Sequence, residues 1–383
     1  MQRESLFEVC AAASLSDFLG DFVVFRNLVP VDGRLPPLAD LRPRLGIGSG
    51  VLPRKVDLSY GRVVAEILRR ARALDLPGTP LQRLIYVGDT RMSDGTAFAN
   101  LCSAGGFAGR AFIGRDERNS PARLEAEGPL CFASRWSALD DFLELIEKEE
   151  RFIPDEATAL VIDIDKTAVG ARGRNDGPID GARLEALRRT AAGLRNRNFS
   201  AAVLQAVHDE LKQPAYHAFT ADNQDCLAYV CLVLGAGLFS LDGLIQDIRQ
   251  GTLRCFGDFL GRVHNRRSEL ASAGLGRVHD DIWRNVLAGD PTPFKTFRFE
   301  EFQATRARFH ARPAPDVAAE LEERIFITEE VRRAAQRLRE RGVLVFGLSD
   351  KPDEASYPSP EQSRSGMKPL HRQETLSVGE RRS

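Results

Sequence analysis

The sequence is poor in lysine, sulfur and tryptophan, and it has no surplus of charge of either sign. Seven lysines (Lys55, Lys148, Lys166, Lys212, Lys295, Lys351 and Lys368) stand against 46 arginines. A genomic bias towards arginine explains most of that imbalance, and against it each lysine stands out as a candidate functional cation. Six cysteines (Cys10, Cys102, Cys131, Cys226, Cys231 and Cys255) are scattered with no CxxC pair. That spacing argues against a zinc site or a disulfide framework, and Cys226 and Cys231 read as buried free thiols. The 53 basic and 54 acidic residues leave a formal charge of -1. Such a balance gives no electrostatic case for nucleic acid or an anionic membrane as the main partner. The most apolar window, 226–241, is shorter than a bilayer span and contains two glycines. The first residues, MQRESLFEV, show no basic region followed by an apolar run and a small-residue cleavage site. The expected setting is cytoplasmic and reducing. No internal repeat is present.

What is present is the composition of a globular protein, 43% hydrophobic and 28% charged over 383 residues. That length is enough for two or three domains. Residues 21–25 (Asp-Phe-Val-Val-Phe) read as a strand, and the Pro/Gly-rich stretch 29–53 as loop. Within it Gly46-Ile-Gly-Ser-Gly50 lacks the spacing of a dinucleotide fingerprint and reads as a flexible loop. From 59 to 74 apolar residues recur at helical spacing. Residues 84–89 (Leu-Ile-Tyr-Val-Gly-Asp) form a short apolar run ending in Gly-Asp, the pattern of a buried parallel strand with functional groups at its carboxyl end. Residues 109–114 read as another strand and 136–146 as an amphipathic helix, followed by a charged linker, 147–156. Residues 157–163 make the clearest buried strand. From about 180 to 324 the periodicity is helical, with no convincing strand. A helix over 328–341, capped by Thr328 with Glu329 and Glu330 in its first turn, leads into an apolar run at 343–349. The last thirty residues are expected to be weakly ordered.

The strongest chemical signal is Asp163-Ile-Asp165-Lys-Thr167 at the end of the 157–163 run. Side chains alternate along a strand, so Asp-x-Asp just past its end puts two carboxylates on one side. That arrangement suits a hard divalent cation. One carboxylate can attack phosphorus while the other protonates the leaving oxygen. Two solvated aspartates at a strand end are the competing explanation, and the full DxDxT pattern after four apolar residues weighs against it.

DIDKT resembles the first motif of the haloacid dehalogenase-like superfamily, and the rest of the chain supplies its other motifs. The resemblance implies that Asp163 is a nucleophile forming an aspartyl-phosphate. It makes Asp165 the general acid/base, with its backbone carbonyl on Mg²⁺. The second aspartate points to phosphoryl rather than halide chemistry. Thr167 of the same motif joins the expected substrate contacts. Ser349, ending the 343–349 run, fits the family's second motif, whose hydroxyl bonds a phosphoryl oxygen.

The order then departs from the family's. Its third motif is a lysine and its fourth an acidic GDxxxD-type cluster on a later strand, and nothing after residue 350 supplies that cluster. The N-terminal half does, in Gly88-Asp89-Thr-Arg-Met-Ser-Asp94-Gly95. Asp89 is then an expected Mg²⁺ ligand, and Asp94 a ligand or an anchor for the lysine. Lys55, ahead of the helix leading into this strand, is the candidate lysine, with Lys351 and Lys368 as rivals. The motifs therefore read as one active site in permuted order. Residues 50–150 supply the lysine and the acids, while 155–170 and 325–350 supply the nucleophile and serine strands. The expected architecture is α/β, a doubly wound (Rossmann-like) parallel sheet with a large helical cap inserted after the nucleophile strand. In that scheme 1–150, 151–170 and 325–383 build the core, and 171–324 is the cap.

Caps close over such sites and select substrates. Arg172 and Arg174, just past the nucleophile strand, are candidates for holding a second anionic group; a solvated pair in a hinge is the alternative. His217, in the polar segment 216–225, is either a pocket residue or a hydrogen-bonded structural histidine. The expected activity is Mg²⁺-dependent hydrolysis of a small phosphorylated metabolite. A phosphotransferase or mutase could use the same intermediate. A catalytically silent binding or scaffold protein of the same fold is the rival from another class.

Overall fold

A computed structural model describes residues 6–117, 120–148, 152–194, 199–221, 223–309 and 316–381. The linker positions 149–151 and Asp222 of the polar segment lie outside the described residues. The chain divides into two compact units, one of residues 1–180 and 305–383, the other of residues 181–304. The second unit is shorter at both ends than the 171–324 segment expected as a helical insertion, because residues 171–180 and 305–324 cluster with the first unit.

Ten strands occur among the described residues. They are β1 (Phe7–Ala13), β2 (Val23–Val24), β3 (Arg83–Gly88), β4 (Ala108–Gly114), β5 (Leu124–Glu127), β6 (Leu130–Ala133), β7 (Thr158–Asp163), β8 (Ile327–Thr328), β9 (Leu344–Leu348) and β10 (Thr375–Glu380). Seven form one sheet in the order β2-β9-β7-β3-β4-β6-β5. Every pairing in it is parallel except β5 with β6. The first unit is therefore α/β with a mostly parallel, Rossmann-like sheet.

The sequence explains why these strands are central. Every residue of β7 and β9 is buried, and β3 is buried from Leu84 onward. Strands covered on both faces need apolar side chains pointing both ways. Ile85, Val87, Leu160, Ile162 and Val345 face one layer, which includes helices Ala138–Lys148 and Glu329–Glu340. Leu84, Tyr86, Ala159, Val161, Leu344 and Phe346 face the other, with helices Leu58–Asp75 and Thr96–Gly105.

Both ends of the described chain are better structured than their composition suggests. β1 pairs antiparallel with β10, and β10 pairs in parallel with β8. The final stretch is thus a sheet strand, not a weakly ordered tail: Leu376 and Val378 pack against Leu321 and Phe326. In the 29–53 stretch, read as loop, residues Leu38–Leu45 form a helix that ends on Gly46 at φ 66°. The expected strand at 21–25 shrinks to two residues paired with β9. The β5–β6 hairpin, turning at Gly128, was not anticipated. Thr328 precedes its helix as expected, but its side chain makes no cap; Oγ1 donates to the carbonyl of Thr167 instead.

The second unit is helical in all its described elements. Its centre is helix Gln224–Gly235, buried on every side from Asp225 onward, which accounts for the apolar window at 226–241. Among the described residues no helix is long and apolar enough to cross a membrane.

Candidate active site

The three strands carrying motifs are neighbours, with β7 between β9 and β3. Asp163, the last residue of β7, lies opposite Leu348, so Ser349 follows at the same edge. On the other side Ile162 lies opposite Val87, which brings Gly88 and Asp89 level with Asp163. The carboxyl ends of parallel strands are where open α/β sheets place ligands. The side chains that converge here come from positions 39 and 108 residues apart from Lys55.

Lys55 is the centre of the cluster. Its Nζ donates to Asp94 Oδ1 at 2.8 Å and to Asp163 Oδ1 at 2.5 Å, and it is 4% exposed. Asp94 is saturated. Its Oδ1 also accepts from Tyr86 Oη at 3.1 Å, while Oδ2 accepts from the N–H groups of Asp89 (3.1 Å) and Thr90 (3.0 Å) and from Thr90 Oγ1 (2.9 Å). This closure depends on Gly88, because a Cβ there would lie 2.6 Å from Asp94 Cβ. A single wide turn over Arg91–Gly95 carries Asp94 back against the strand end. Of the two roles foreseen for Asp94, the contacts favour the anchor.

After Asp163 the chain turns back on itself. Ala168 N donates to Asp163 O at 3.2 Å, and Val169 N donates to Ile164 O at 3.1 Å. Lys166 takes φ 64°, a left-handed conformation that a lysine holds only under constraint from its surroundings. The Asp165 carboxylate lies 3.4 Å from Lys351 Nζ, beside a small apolar cavity lined in part by Phe25, Phe309 and His371. Ser349 is 2% exposed, and its Oγ accepts from Lys351 N at 3.1 Å. The following loop is held by arginines that sequence reasoning missed. Arg26 Nε donates to Asp350 O at 2.7 Å, and Arg54 Nη2 donates to Asp350 Oδ2 at 2.5 Å. Arg54 sits next to Lys55 in the chain, the one signal that could have flagged it. Tyr86, also missed, carries the one polar tip in an otherwise apolar strand run.

The electrostatics show too little positive charge. Burial opposes ionisation of Asp94, but Lys55 and the N–H groups of Thr90 and Asp89 outweigh it and pull that carboxyl down to about 2. Burial pushes Asp89 up to about 6, with Asp94 adding to the push and Arg172 opposing it. Burial likewise drives Asp163 well above the usual carboxylate range; Lys55 pulls it back, and Asp94 and Asp89 push it further. Burial would lower Lys55, but Asp163 and Asp94 reverse that and keep its ammonium charged. One buried ammonium and one half-exposed guanidinium among three carboxylates leave the cluster one counter-charge short, with Asp163 sharing Lys55 with Asp94.

That shortage, with hard oxygen donors, fits a divalent cation. Asp89, Asp94 and Asp163 each offer an oxygen, all within 4.8 Å of one another. Asp94 has spent both its oxygens. Among the described residues, Asp163 Oδ2 and Asp89 Oδ1 accept no hydrogen bond, so these two carboxylates have coordination capacity left.

The remaining expected residues divide. Thr167 is fully buried beneath the turn, and its Oγ1 has no hydrogen-bond partner. Arg172 reaches the cluster, where its Nε donates to Asp89 Oδ2. Arg174 does not serve as an anion-binding group, because every part of its guanidinium is spoken for. Its Nε donates to Asp116 at 2.7 Å, and its two terminal nitrogens donate to Glu330 at 2.9 and 3.0 Å. With a side chain 1% exposed, it is a structural tie. His217 belongs to the helical unit, on the short helix His217–Thr220, with Nε2 3.4 Å from Lys212 O. Of the rival lysines, Lys351 meets Asp165, and Lys368 is exposed beside an open polar groove. Only Lys55 touches Asp163. Comparison with known proteins found no matching family profile, no matching curated protein and no matching solved structure.

Proposed function

We propose that the chain is a Mg²⁺-dependent phosphomonoester hydrolase working through an aspartyl-phosphate on Asp163, similar to haloacid dehalogenase-like phosphatases but with its motifs in permuted order. The observation that carries this reading is the bridge made by Lys55, 2.8 Å from Asp94 and 2.5 Å from Asp163, at the carboxyl ends of adjacent strands.

In this reading Asp163 and Asp89 would hold Mg²⁺, which would supply charge neutralisation at the phosphate. An oxygen of Asp163 attacks phosphorus, and the bond from phosphorus to the leaving oxygen breaks. Asp165 delivers a proton to that oxygen. Water then attacks the phosphorus of the aspartyl-phosphate and gives a proton to Asp165, releasing phosphate and restoring Asp163. Lys55 fixes the rotamer of Asp163, and Ser349 offers its hydroxyl to a phosphoryl oxygen. The helical unit, 181–304, inserted in sequence between β7 and β9, takes the role of a cap that selects the substrate, a small phosphorylated metabolite of the cytoplasm.

Hydrolysis of p-nitrophenyl phosphate tests the proposal. We expect Mg²⁺-dependent turnover, abolished by EDTA and trapped by beryllofluoride. Asp163→Asn should cost roughly 10³-fold or more in kcat, and Asp89→Asn should remove the Mg²⁺ response. Full activity in Asp89→Asn would remove the permuted site from consideration. Product analysis with an added alcohol acceptor separates hydrolysis from phosphotransfer. One observation favours the rival, a catalytically silent module: Arg172 already covers Asp89. That rival predicts no cation uptake requiring Asp163 and Asp89 together.

A further inference from the structure

The side chain of Arg172 caps the acidic cluster. It reaches Asp89, one of the two carboxylates with coordination capacity left, and it comes from the solvent side. The Arg172 side chain is 37% exposed, whereas that of Asp89 is 7% exposed. Its backbone is pinned. Arg172 N donates to Lys166 O at 2.9 Å, and Arg172 O accepts from Asp116 N at 2.9 Å and from Trp136 Nε1 at 3.2 Å. The next residue, Gly173, holds φ 79° where a Cβ would lie 2.0 Å from Asp116 O, so this bend is fixed as well. Only the guanidinium arm is left to move. Asp94, in contrast, is locked by five donors, and Lys55 is buried between two carboxylates.

We propose that Arg172 is a built-in counter-ion that occupies Asp89 when no cation is bound and must be displaced for a divalent cation to enter. This rests on the metal-centre part of the reading above and adds a competition to it. A divalent cation held by Asp163 and Asp89 would take over the charge that the guanidinium now balances. Cation affinity is then set by the difference between the two, and Arg172 weakens binding. A cation-free chain keeps Asp89 paired, and the swing of one arm exposes it.

Titration of the full chain with Mn²⁺ alone, read by electron paramagnetic resonance and calorimetry, tests this. Arg172→Gln is expected to bind Mn²⁺ about five-fold more tightly than wild type, the weight of one partly exposed ion pair. Its cation-free thermal midpoint should fall below that of wild type, and saturating Mn²⁺ should close the gap. Arg172→Lys, which keeps the charge without the fork, should lie between the two and carries the same comparison should Arg172→Gln fail to fold. Uptake in Arg172→Gln with none in wild type supports the proposal in its extreme form. Equal or weaker binding in both variants, with Asp89-dependent uptake in wild type, overturns it while leaving the metal centre standing. No uptake dependent on Asp89 in any of the proteins overturns both.

Discussion

Buried ionisable side chains are expensive, so the way each is compensated says what it is for. Asp94 is compensated completely and is pulled down to about 2, as suits an anchor. Asp163 is compensated by Lys55 alone and burial pushes it up, which supports its proposed part as a cation ligand. The helical unit contains another buried titratable group, and it makes a sharper prediction. His279 Nδ1 is 2.5 Å from Tyr229 Oη, and its Nε2 is 3.0 Å from His264 Nδ1. His264 stacks on Trp283 with ring centroids 4.0 Å apart. Between two imidazoles one nitrogen must donate and the other accept, so this chain holds only while the pair shares its protons. Burial, and then the neighbouring His264, push His279 down to about 4; Asp280 opposes them, and Arg267 adds slightly to the push. The unfolded chain takes up that proton near pH 6.5. Stability is therefore fully present above pH 6.5 and is lost as pH falls towards 4, by at most ~3 kcal/mol. Thermal unfolding followed by circular dichroism from pH 7.5 to 4.5 should show this slope, and His279→Asn should flatten it. An equal slope in the variant would assign the acid sensitivity to other groups.

At the scale of elements, Arg174 joins parts that lie far apart in sequence. From the bend after β7 it reaches Asp116 beyond β4, Glu330 at the start of helix Glu329–Glu340 and the carbonyl of Val378 in β10, and it covers the ring of Phe7 in β1. Arg174→Met leaves Asp116 and Glu330 buried and short of a partner, so we expect a loss of about 3–5 kcal/mol in urea unfolding. KM for p-nitrophenyl phosphate should stay unchanged in the folded fraction. A raised KM with unchanged stability would return Arg174 to the substrate. The two arginines, two residues apart, show what sequence could not reveal. Both read as candidate anion binders, and only the positions of Asp89, Asp116 and Glu330 in space separate them. β3, β7 and β9 were legible because strands buried on both faces must be apolar throughout, and helix Leu58–Asp75 was legible by its spacing. β1 and β10 were not, since each is stabilised by a partner more than 360 residues away. The β5–β6 hairpin was hidden by its polar strand, Leu-Glu-Ala-Glu. Asp163 and Asp89 could be anticipated because each lies at the end of an apolar run, and Asp94 through the GDxxxxD spacing that resembles the family's acidic motif, whereas Tyr86 and Arg54 left only a polar tip in an apolar run and a place beside Lys55.

For the molecule as a whole, strand pairing and not chain order brings the site together. β7 has β9 on one side and β3 on the other, although 180 residues separate β7 from β9 and β3 precedes both. The two ends of the described chain are also neighbours. Phe7 lies opposite Glu380 in an antiparallel pair, and Arg381 N donates to Leu6 O at 3.0 Å. Adjacent partners in such a pair are ~5 Å apart, so a linker of roughly five residues can join them without strain. A chain closed there and reopened between Lys148 and Phe152 keeps every pairing in both sheets. It would present Asp163, Ser349, Lys55 and Asp89 in that order, the order of the family it resembles. Its cost is one short loop to close against one connection removed, so its stability should fall within ~2 kcal/mol of the natural chain. We expect this circular permutant to fold with the same circular dichroism spectrum and to match the natural chain in Mn²⁺ affinity and phosphatase rate to within about ten-fold. The informative failure is a permutant that is folded and stable yet lacks a cation dependence the natural chain possesses. It would mean that the covalent continuity from Lys148 to Phe152 helps to set the distance between Asp163 and Asp89, and that pairing of β3 with β7 alone does not build the centre.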